Sequence, residues 1–340
     1  MSTEVHKVIF RLLCNTCCVK NKNRGSFLVT LTSLLLSSCL FFAVDCPALA
    51  TAVSPCVPVA GAFLAAFVVS CLLATALTDP GVVPRPPPDE AEYFESLMPD
   101  ERWVRSDKRK IAICGRSYDQ KFCATCRLWR PPRAGHCSRC DNCVLRFDHH
   151  CFWVGNCIGA RNYRQFFMFI LGLQVYSLFV LFFSVYHLFG LPHGGDWKAF
   201  VNGIAQAPTS LINAIVAAAT AGSMLIVLVY HAGLVCTELT TSEDSKQTFV
   251  VSSLREDDQT RANPFDRGCP ANCSRILCGP FPPSLMRRVD GDLRQQGTPP
   301  PPPPTVWKSH RLSGDSQSKL LPSGEAELHS ADSGNAYNLQ

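Results

Sequence analysis

Residues 122–163 read FCATCRLWRPPRAGHCSRCDNCVLRFDHHCFWVGNCIGARNY, a segment dense in side chains able to do chemistry. Two C-x-x-C pairs, Cys123/Cys126 and Cys137/Cys140, are accompanied by His136, Cys143, His149, His150, Cys151 and Cys157. A two-residue turn brings both thiolates of such a pair to one tetrahedral ion. Pairs followed by more Cys and His at short spacing therefore point to zinc. Seven cysteines and three histidines make ten candidate ligands, and two closed tetrahedral sites take eight. If both sites follow a Cys-Cys-His-Cys scheme, one Cys and one His remain. A free thiol beside a free imidazole is the composition of a nucleophile pair. Asp148 stands next to the histidines and could orient one of them. Counting does not say which Cys and which His are spare. A purely structural zinc module with an idle thiol has the same composition.

The rest of the chain must position this segment. Its 340 residues suffice for two domains, and the 47% of hydrophobic residues are unevenly placed. Four nearly charge-free stretches are long enough to cross a bilayer, which needs about 20 apolar residues each. They run from Phe27 to Val44, Val57 to Thr78, Gln165 to Tyr186 and Thr209 to Val235. The nineteen cysteines are not preceded by a cleavable signal peptide, because residues 1–24 are polar and basic. Clustered in a polar, basic segment, they suggest metal binding or catalysis in a cytosolic setting rather than disulfides.

Orientation follows from Lys and Arg placement. Of the 32 such residues, the segment to Arg24 holds five, the 79–164 loop fifteen, and the tail from 237 eleven. The short loops 45–56 and 187–208 hold only Lys198. Both termini and the central loop are thus expected on the cytoplasmic side. The predicted fold is an all-α integral membrane protein. A leader (1–26) precedes two transmembrane helices (27–78). A cytoplasmic loop (79–164) carries a two-zinc domain of short β-hairpins and loops at about 120–165. Two further helices (165–236) follow, then a cytoplasmic tail element (237–284) and a disordered proline-rich tail (285–340). Pro299–Pro304 favours polyproline II and could dock an SH3 or WW module. No nucleic-acid partner is expected. A transporter is disfavoured because the spans contain almost no ionisable residue, His231 near one end excepted.

At Asp148-His149-His150-Cys151 the sequence resembles the DHHC family of protein S-acyltransferases, or palmitoyltransferases. The likeness extends through Pro131-Pro132-Arg133, Trp153, Asn156-Cys157-Ile158-Gly159 and Arg161-Asn162-Tyr163. It also takes in Asp79-Pro80-Gly81 (DPG), Thr240-Thr241-Ser242-Glu243 (TTxE), and Asn263-Pro264-Phe265 with Gly268-Cys269. It covers about residues 25–280. The resemblance assigns one zinc to Cys123, Cys126, His136 and Cys143, and the second to Cys137, Cys140, His150 and Cys157. It leaves His149 and Cys151 over, the same remainder that counting required.

The resemblance implies a protein-cysteine S-palmitoyltransferase of the Golgi, other endomembranes or the plasma membrane. Cys151 would be the nucleophile, His149 the general base, and Asp148 its orienting carboxylate. Palmitoyl-CoA would be the acyl donor, and substrate proteins with membrane-proximal cysteines the acceptors. Zinc would be structural, since all eight ligands come from the protein. Trp153, Thr241 (against the catalytic Asp) and Asn263 (bracing the cytoplasmic ends) would support the site. Arg133 and Arg164, with Arg130 and Arg161, could meet CoA phosphates. Phe166, Phe167, Phe169, Phe179, Phe182 and Phe183 could line an acyl cavity. Cys14, Cys17, Cys18, Cys269, Cys273 and Cys278 are candidates for acylation themselves. Phe152 stands where the family usually has proline, and Gly155 where many members have Asn. The alternative is a catalytically weak membrane scaffold whose zinc module and proline run recruit partners.

Overall fold

A computed structural model of the chain describes residues 24–96, 108–113, 116–190, 197–249 and 263–286. Cys14, Cys17, Cys18 and the run Pro299–Pro304 lie outside the described residues. Four helices are long and apolar enough to span a membrane: α1 (Gly25–Ala52), α2 (Cys56–Leu77), α4 (Tyr163–Gly190) and α6 (Pro208–Cys236). Each satisfies its backbone hydrogen bonds internally, as a lipid environment requires. Phe63 and Ile226 are 74% exposed on these helices, a surface suited to hydrocarbon rather than water. Helix α4 is the central one, packing against both α2 and α6. The protein is a multi-pass membrane protein. A short helix, α3 (Pro88–Ser96), follows the second span, and α5 (Trp197–Gln206) lies between α4 and α6.

The first span differs from expectation. The helix does not stop at Val44 but continues through a π-helical turn, Phe41–Asp45, to Ala52. Asp45, taken as the start of a loop, is fully buried. Its carboxylate lies 2.8 Å from His187 Nδ1, and accepts from Asn213 Nδ2 at 3.1 Å and Ser184 Oγ at 3.3 Å. A buried carboxylate persists only when it is paired and hydrogen-bonded. Its partners come from α4 and α6, so no local sequence signal marks it as helical. The apolar spans therefore carry a second ionisable site besides His231.

The cysteine-rich module is built from strands of two to eight residues. Strand β1 (Val82–Val83) joins β6 (Asn142–Val144), which pairs with β5 (Gly135–Cys137). Strands β2 (Lys108–Ile113), β3 (Arg116–Cys123) and β4 (Leu128–Trp129) form a second sheet. A hairpin of β7 (His149–Cys151) and β8 (Asn156–Ile158) completes it. Both C-x-x-C turns end on a left-handed residue, Arg127 (φ 55°) and Asp141 (φ 54°).

The module is fixed to the membrane helices at the end of α2. The last carbonyls of a helix have no partner within it. Here Asn156 Nδ2 donates to Ala76 O (3.1 Å) and Thr78 O (3.0 Å), and Asn162 Nδ2 to Thr75 O (3.1 Å). Asp79 Oδ1 accepts from the amides of Gly81 and Val82, turning the chain into β1. Asp79 Oδ2 pairs with Arg161 at 2.8 Å. Gly159 sits where these parts converge. A Cβ there would lie 2.5 Å from Val144 Cγ1 and 2.6 Å from Pro80 O. Gly159→Ala should therefore destabilise the protein by about 1–3 kcal/mol, the usual cost of overpacking. It should be read as a lowered melting temperature in detergent; an unchanged melting curve would contradict this packing.

Candidate active site and metal centres

Two Cys3His clusters form from interleaved positions. Cys123, Cys126, His136 and Cys143 make one, and Cys137, Cys140, His150 and Cys157 the other. In the first, His136 Nδ1 is 3.4 Å from Cys126 Sγ and 3.9 Å from Cys143 Sγ. In the second, His150 Nδ1 lies 3.6, 3.3 and 3.6 Å from the sulfurs of Cys137, Cys140 and Cys157. A tetrahedron with bonds of about 2.0–2.3 Å has edges of roughly 3.6–3.8 Å, so both donor sets fit a zinc-sized ion. Within each cluster the sulfurs bias one another: contact with its neighbours pulls one thiol down (Cys123, Cys137) and pushes another up (Cys143, Cys157). His136 and Cys137 are neighbours on β5 yet serve different clusters, so a single short strand braces both.

Strand alternation then separates chemistry from structure. Successive side chains of β7 point to opposite faces. His150 turns toward the second cluster, leaving His149 and Cys151 together on the other face. His149 Nδ1 meets Asp148 Oδ1 at 2.7 Å. Asp148 is buried and accepts two further hydrogen bonds, from Thr241 Oγ1 (2.7 Å) and Thr241 N (2.9 Å). Burial alone would raise the Asp148 pKa, but the hydrogen bond and charge of His149 leave it lowered. For His149, burial disfavours the imidazolium. The hydrogen bonds to Asp148 and Cys151 reverse this and raise it to about 9.

Cys151 is buried in the same apolar cluster as Val154, Phe166, Phe169, Ile170 and Tyr176, so the thiol faces the interior of the helix bundle. Phe166, Phe167 and Phe169 are buried; Phe179 and Phe183 pack partly buried against the cluster, while Phe182 is exposed. His231, noted from sequence only as an ionisable exception, is buried beside the site. Its Nδ1 is 3.1 Å from Tyr163 Oη, and its ring centroid lies 5.9 Å from that of His149. Phe166 contacts both imidazoles. Phe152 and Trp153 project from the β7–β8 turn, half or more exposed, packed edge-to-face on one another.

The expectation that Arg133 meets CoA phosphates is corrected. Its guanidinium is buried, and four of its five N–H donors are taken by protein. It grips Glu243 with two bonds (2.8 and 2.7 Å), Glu238 Oε1 at 2.6 Å and the Glu238 carbonyl at 2.7 Å. Paired with two carboxylates and shielded from solvent, it does not present its charge to a phosphate. Arg161 is held by Asp79 and Pro282 O. Arg164 donates to Gly279 O and lies over the Phe281 ring at 4.3 Å. Arg161 and Arg164 thus each hold a carbonyl of the tail segment. Thr240 caps helix α7 (Thr241–Ser245) in a capping box with Glu243, which holds Thr241 against Asp148. Asn263 Nδ2 donates to Thr237 O (2.9 Å) and Glu238 O (3.2 Å), closing the end of α6. Asn156 and Asn162 are anchors that the sequence reading left without a role.

The fold and this site define a class. The family profile described as DHHC palmitoyltransferase matches residues 116–248. The chain is 40% identical over 270 residues to palmitoyltransferase ZDHHC18 of Mus musculus, covering 78% of this chain and 69% of that protein. It is 37% identical over 277 residues to palmitoyltransferase ZDHHC9 of Bos taurus, covering 78% and 73% respectively. The chain belongs to the DHHC palmitoyltransferase family. It is also 38% identical over 300 residues to palmitoyltransferase ZDHHC14 of Mus musculus, covering 85% of this chain but spanning only 60% of that relative's length.

The raised His149 pKa has a stability consequence. A group whose folded pKa lies above its unfolded value, here about 9 against 6.5, stabilises the fold fully below the lower value. That contribution disappears as pH rises through the higher one. The melting temperature of the wild type should fall between pH 6.5 and 9, and Asp148→Asn should flatten that slope. Parallel curves for the two proteins would refute the assignment.

Proposed function

We propose that the chain is a protein S-acyltransferase that moves a palmitoyl or similar long-chain acyl group from acyl-CoA to cysteines of membrane-associated proteins. The observation that carries this reading is the pairing of Cys151 and His149 on one face of β7, with Asp148 behind the imidazole and an apolar cluster in front of the thiol. His149 uses Nδ1 for Asp148, which leaves Nε2 for the Cys151 proton. The Cys151 sulfur attacks the thioester carbonyl, a new carbon–sulfur bond forms, and CoA leaves as a thiolate that takes the proton back from His149. In the second half-reaction a substrate thiol gives its proton to His149 and its sulfur displaces Cys151. One thioester replaces another at each stage, so the exchange is nearly thermoneutral. The acyl chain would lie among the span aromatics, where each buried methylene is worth about 0.8 kcal/mol.

Zinc would occupy both Cys3His clusters and supply folding energy and rigidity rather than Lewis-acid chemistry, because all four positions of each site are filled by protein. Trp153, beside Phe152 at the exposed turn, would face the interface where acyl-CoA enters. Thr241 would fix the Asp148 carboxylate, and Asn263 the end of α6. The clustering of Lys and Arg supports an orientation with the zinc module and both termini in the cytoplasm, on Golgi, other endomembranes or the plasma membrane. Substrate proteins would present cysteines near that surface, and the proline run would offer an SH3 or WW partner a docking segment.

Purified protein incubated with labelled palmitoyl-CoA should take up label that hydroxylamine removes. Cys151→Ser should abolish it, and His149→Ala should slow it by about 10²–10⁴-fold. Equal labelling of wild type and Cys151→Ser would overturn the role given to this thiol. Chelation should release two zinc ions per chain by elemental analysis and expose residues 122–163 to protease. Metal loss without new cleavage would rule out a folding role for zinc.

A further inference from the structure

His231 stands beside the reacting pair, yet the acyl transfer gives it no part. It lies near the end of α6 and is 4% exposed. Its ring meets those of Phe166 (centroids 5.0 Å apart), Tyr230 (5.6 Å), Tyr163 and His149 (both 5.9 Å). A polar group taken this far out of water is costly unless it is bonded. Tyr163 Oη, itself buried, answers the demand at 3.1 Å from His231 Nδ1. An apolar side chain would fill the same space without needing a partner, so the imidazole calls for a reason.

The reason lies in what His149 lacks. Asp148 holds it at one atom, Nδ1, at 2.7 Å. A single contact lets the ring pivot about that nitrogen, and a pivot carries Nε2 away from the thiol. A second contact must set the plane. Phe166 supplies one, standing edge-to-face on His149 at 5.3 Å and 71°. The same Phe166 ring stands edge-to-face on His231 at 72°, and the two imidazoles also face one another directly, tilted by 44°. His231 is therefore a wall for both Phe166 and His149. That wall is itself anchored. Tyr163 opens α4, and Arg146 lies over its ring at 4.9 Å while reaching Glu238 just past α6 at 3.3 Å. The bond between His231 and Tyr163 thus ties the start of α4 to the end of α6 where the two helices flank His149.

From this arrangement we propose that His231 is a positioning residue for the acyl transfer. Its imidazole, locked in rotation by Tyr163, sets the plane of His149 together with Phe166, so that Nε2 faces the Cys151 thiol. The inference rests on the reading of Cys151 and His149 as the reacting pair. Protons still move only between His149 and the thiols; His231 neither takes nor gives one. A ring without a polar atom would fill the space but would be free to turn, and the bond to Tyr163 is what removes that freedom. Reacting groups must be held within about 0.5 Å by the side chains behind them. A displacement of about 1 Å is enough to cost about 10²-fold in rate.

The test follows single-turnover acylation of full-length, zinc-replete protein in detergent by labelled palmitoyl-CoA over a range of concentrations. Wild type is compared with His231→Phe, Tyr163→Phe and the double variant, each of which keeps an aromatic ring and removes the bond. Each single variant should lower the maximal rate by about tenfold or more and leave the half-saturating palmitoyl-CoA concentration within about twofold of wild type. The double variant should be no slower than the slower single, because one bond is lost in all three. A variant that is merely misfolded loses labelling amplitude instead of rate, and Tyr163→Phe carries the test if His231→Phe does not fold. A full rate in both single variants would overturn the role. So would a raised half-saturating concentration at unchanged maximal rate, loss confined to amplitude in Tyr163→Phe, or losses that multiply in the double variant. Wild type that takes no label would overturn the acyltransferase reading and this inference with it, whereas labelled wild type matched by its variants would remove the role of His231 alone.

Discussion

A helix leaving a bilayer ends on carbonyls that its own backbone cannot satisfy, and the way α2 solves this governs everything downstream. Asn156 and Asn162 supply the missing donors, and both belong to the cysteine-rich module. One sits on β8, paired across the hairpin with Cys151 itself. The other precedes α4 by one residue. The same bonds that end a membrane helix therefore set the position of the Cys151 thiol against the apolar interior and the point at which the chain re-enters it. A polar module on a flexible tether would leave that distance undefined. Here a few side-chain amides define it, with Gly159 allowing the backbones to close.

A second constraint comes from the opposite side. Arg133, in the module, is buried against Glu238 and Glu243, and Arg146 and Arg275 also reach Glu238. Taking so many charges out of water is expensive, and such a cluster is poor evidence of stability. Its geometry favours a role in register. Glu243 belongs to the capping box whose next residue, Thr241, holds Asp148. Glu238 lies two residues past α6, and Arg275 two residues past the short helix α8 (Cys269–Cys273). Module, fourth span and tail all converge on two carboxylates, so the orientation of Asp148, and through it His149, depends on the tail being docked.

Much of the site could be read from the sequence because its logic is local. C-x-x-C spacing, and a remainder of one thiol and one imidazole, follow from chemistry over a short stretch. The spans were legible for the same reason, as composition over about 20 residues. The failures concern partners distant in sequence. Arg133 reads as an open cation because nothing near it announces Glu238 and Glu243, more than 100 residues on. Asp45 reads as the start of a loop because its partners lie on α4 and α6. His231 reads as an oddity until Tyr163 and Phe166 surround it. The two asparagines read as part of a motif but carry no signal of the carbonyls they serve.

Asp45 also has a consequence for how the chain is made. Its nearest partner, His187, lies 142 residues downstream, and Asn213 lies 168. At about 5–20 residues per second, synthesis leaves a gap on the order of ten seconds between them. During that interval α1 must be lodged in or beside the membrane with an unmatched carboxylate, whose insertion costs roughly 3 kcal/mol. The surrounding apolar residues are sufficient to carry it, but only the arrival of α4 and α6 supplies its hydrogen-bond partners. A chain truncated before the third span would lack His187 and Ser184, and one truncated before the fourth would lack Asn213. Asp45 thus distinguishes a finished bundle, in which partners from α4 and α6 surround its carboxylate, from an unfinished one.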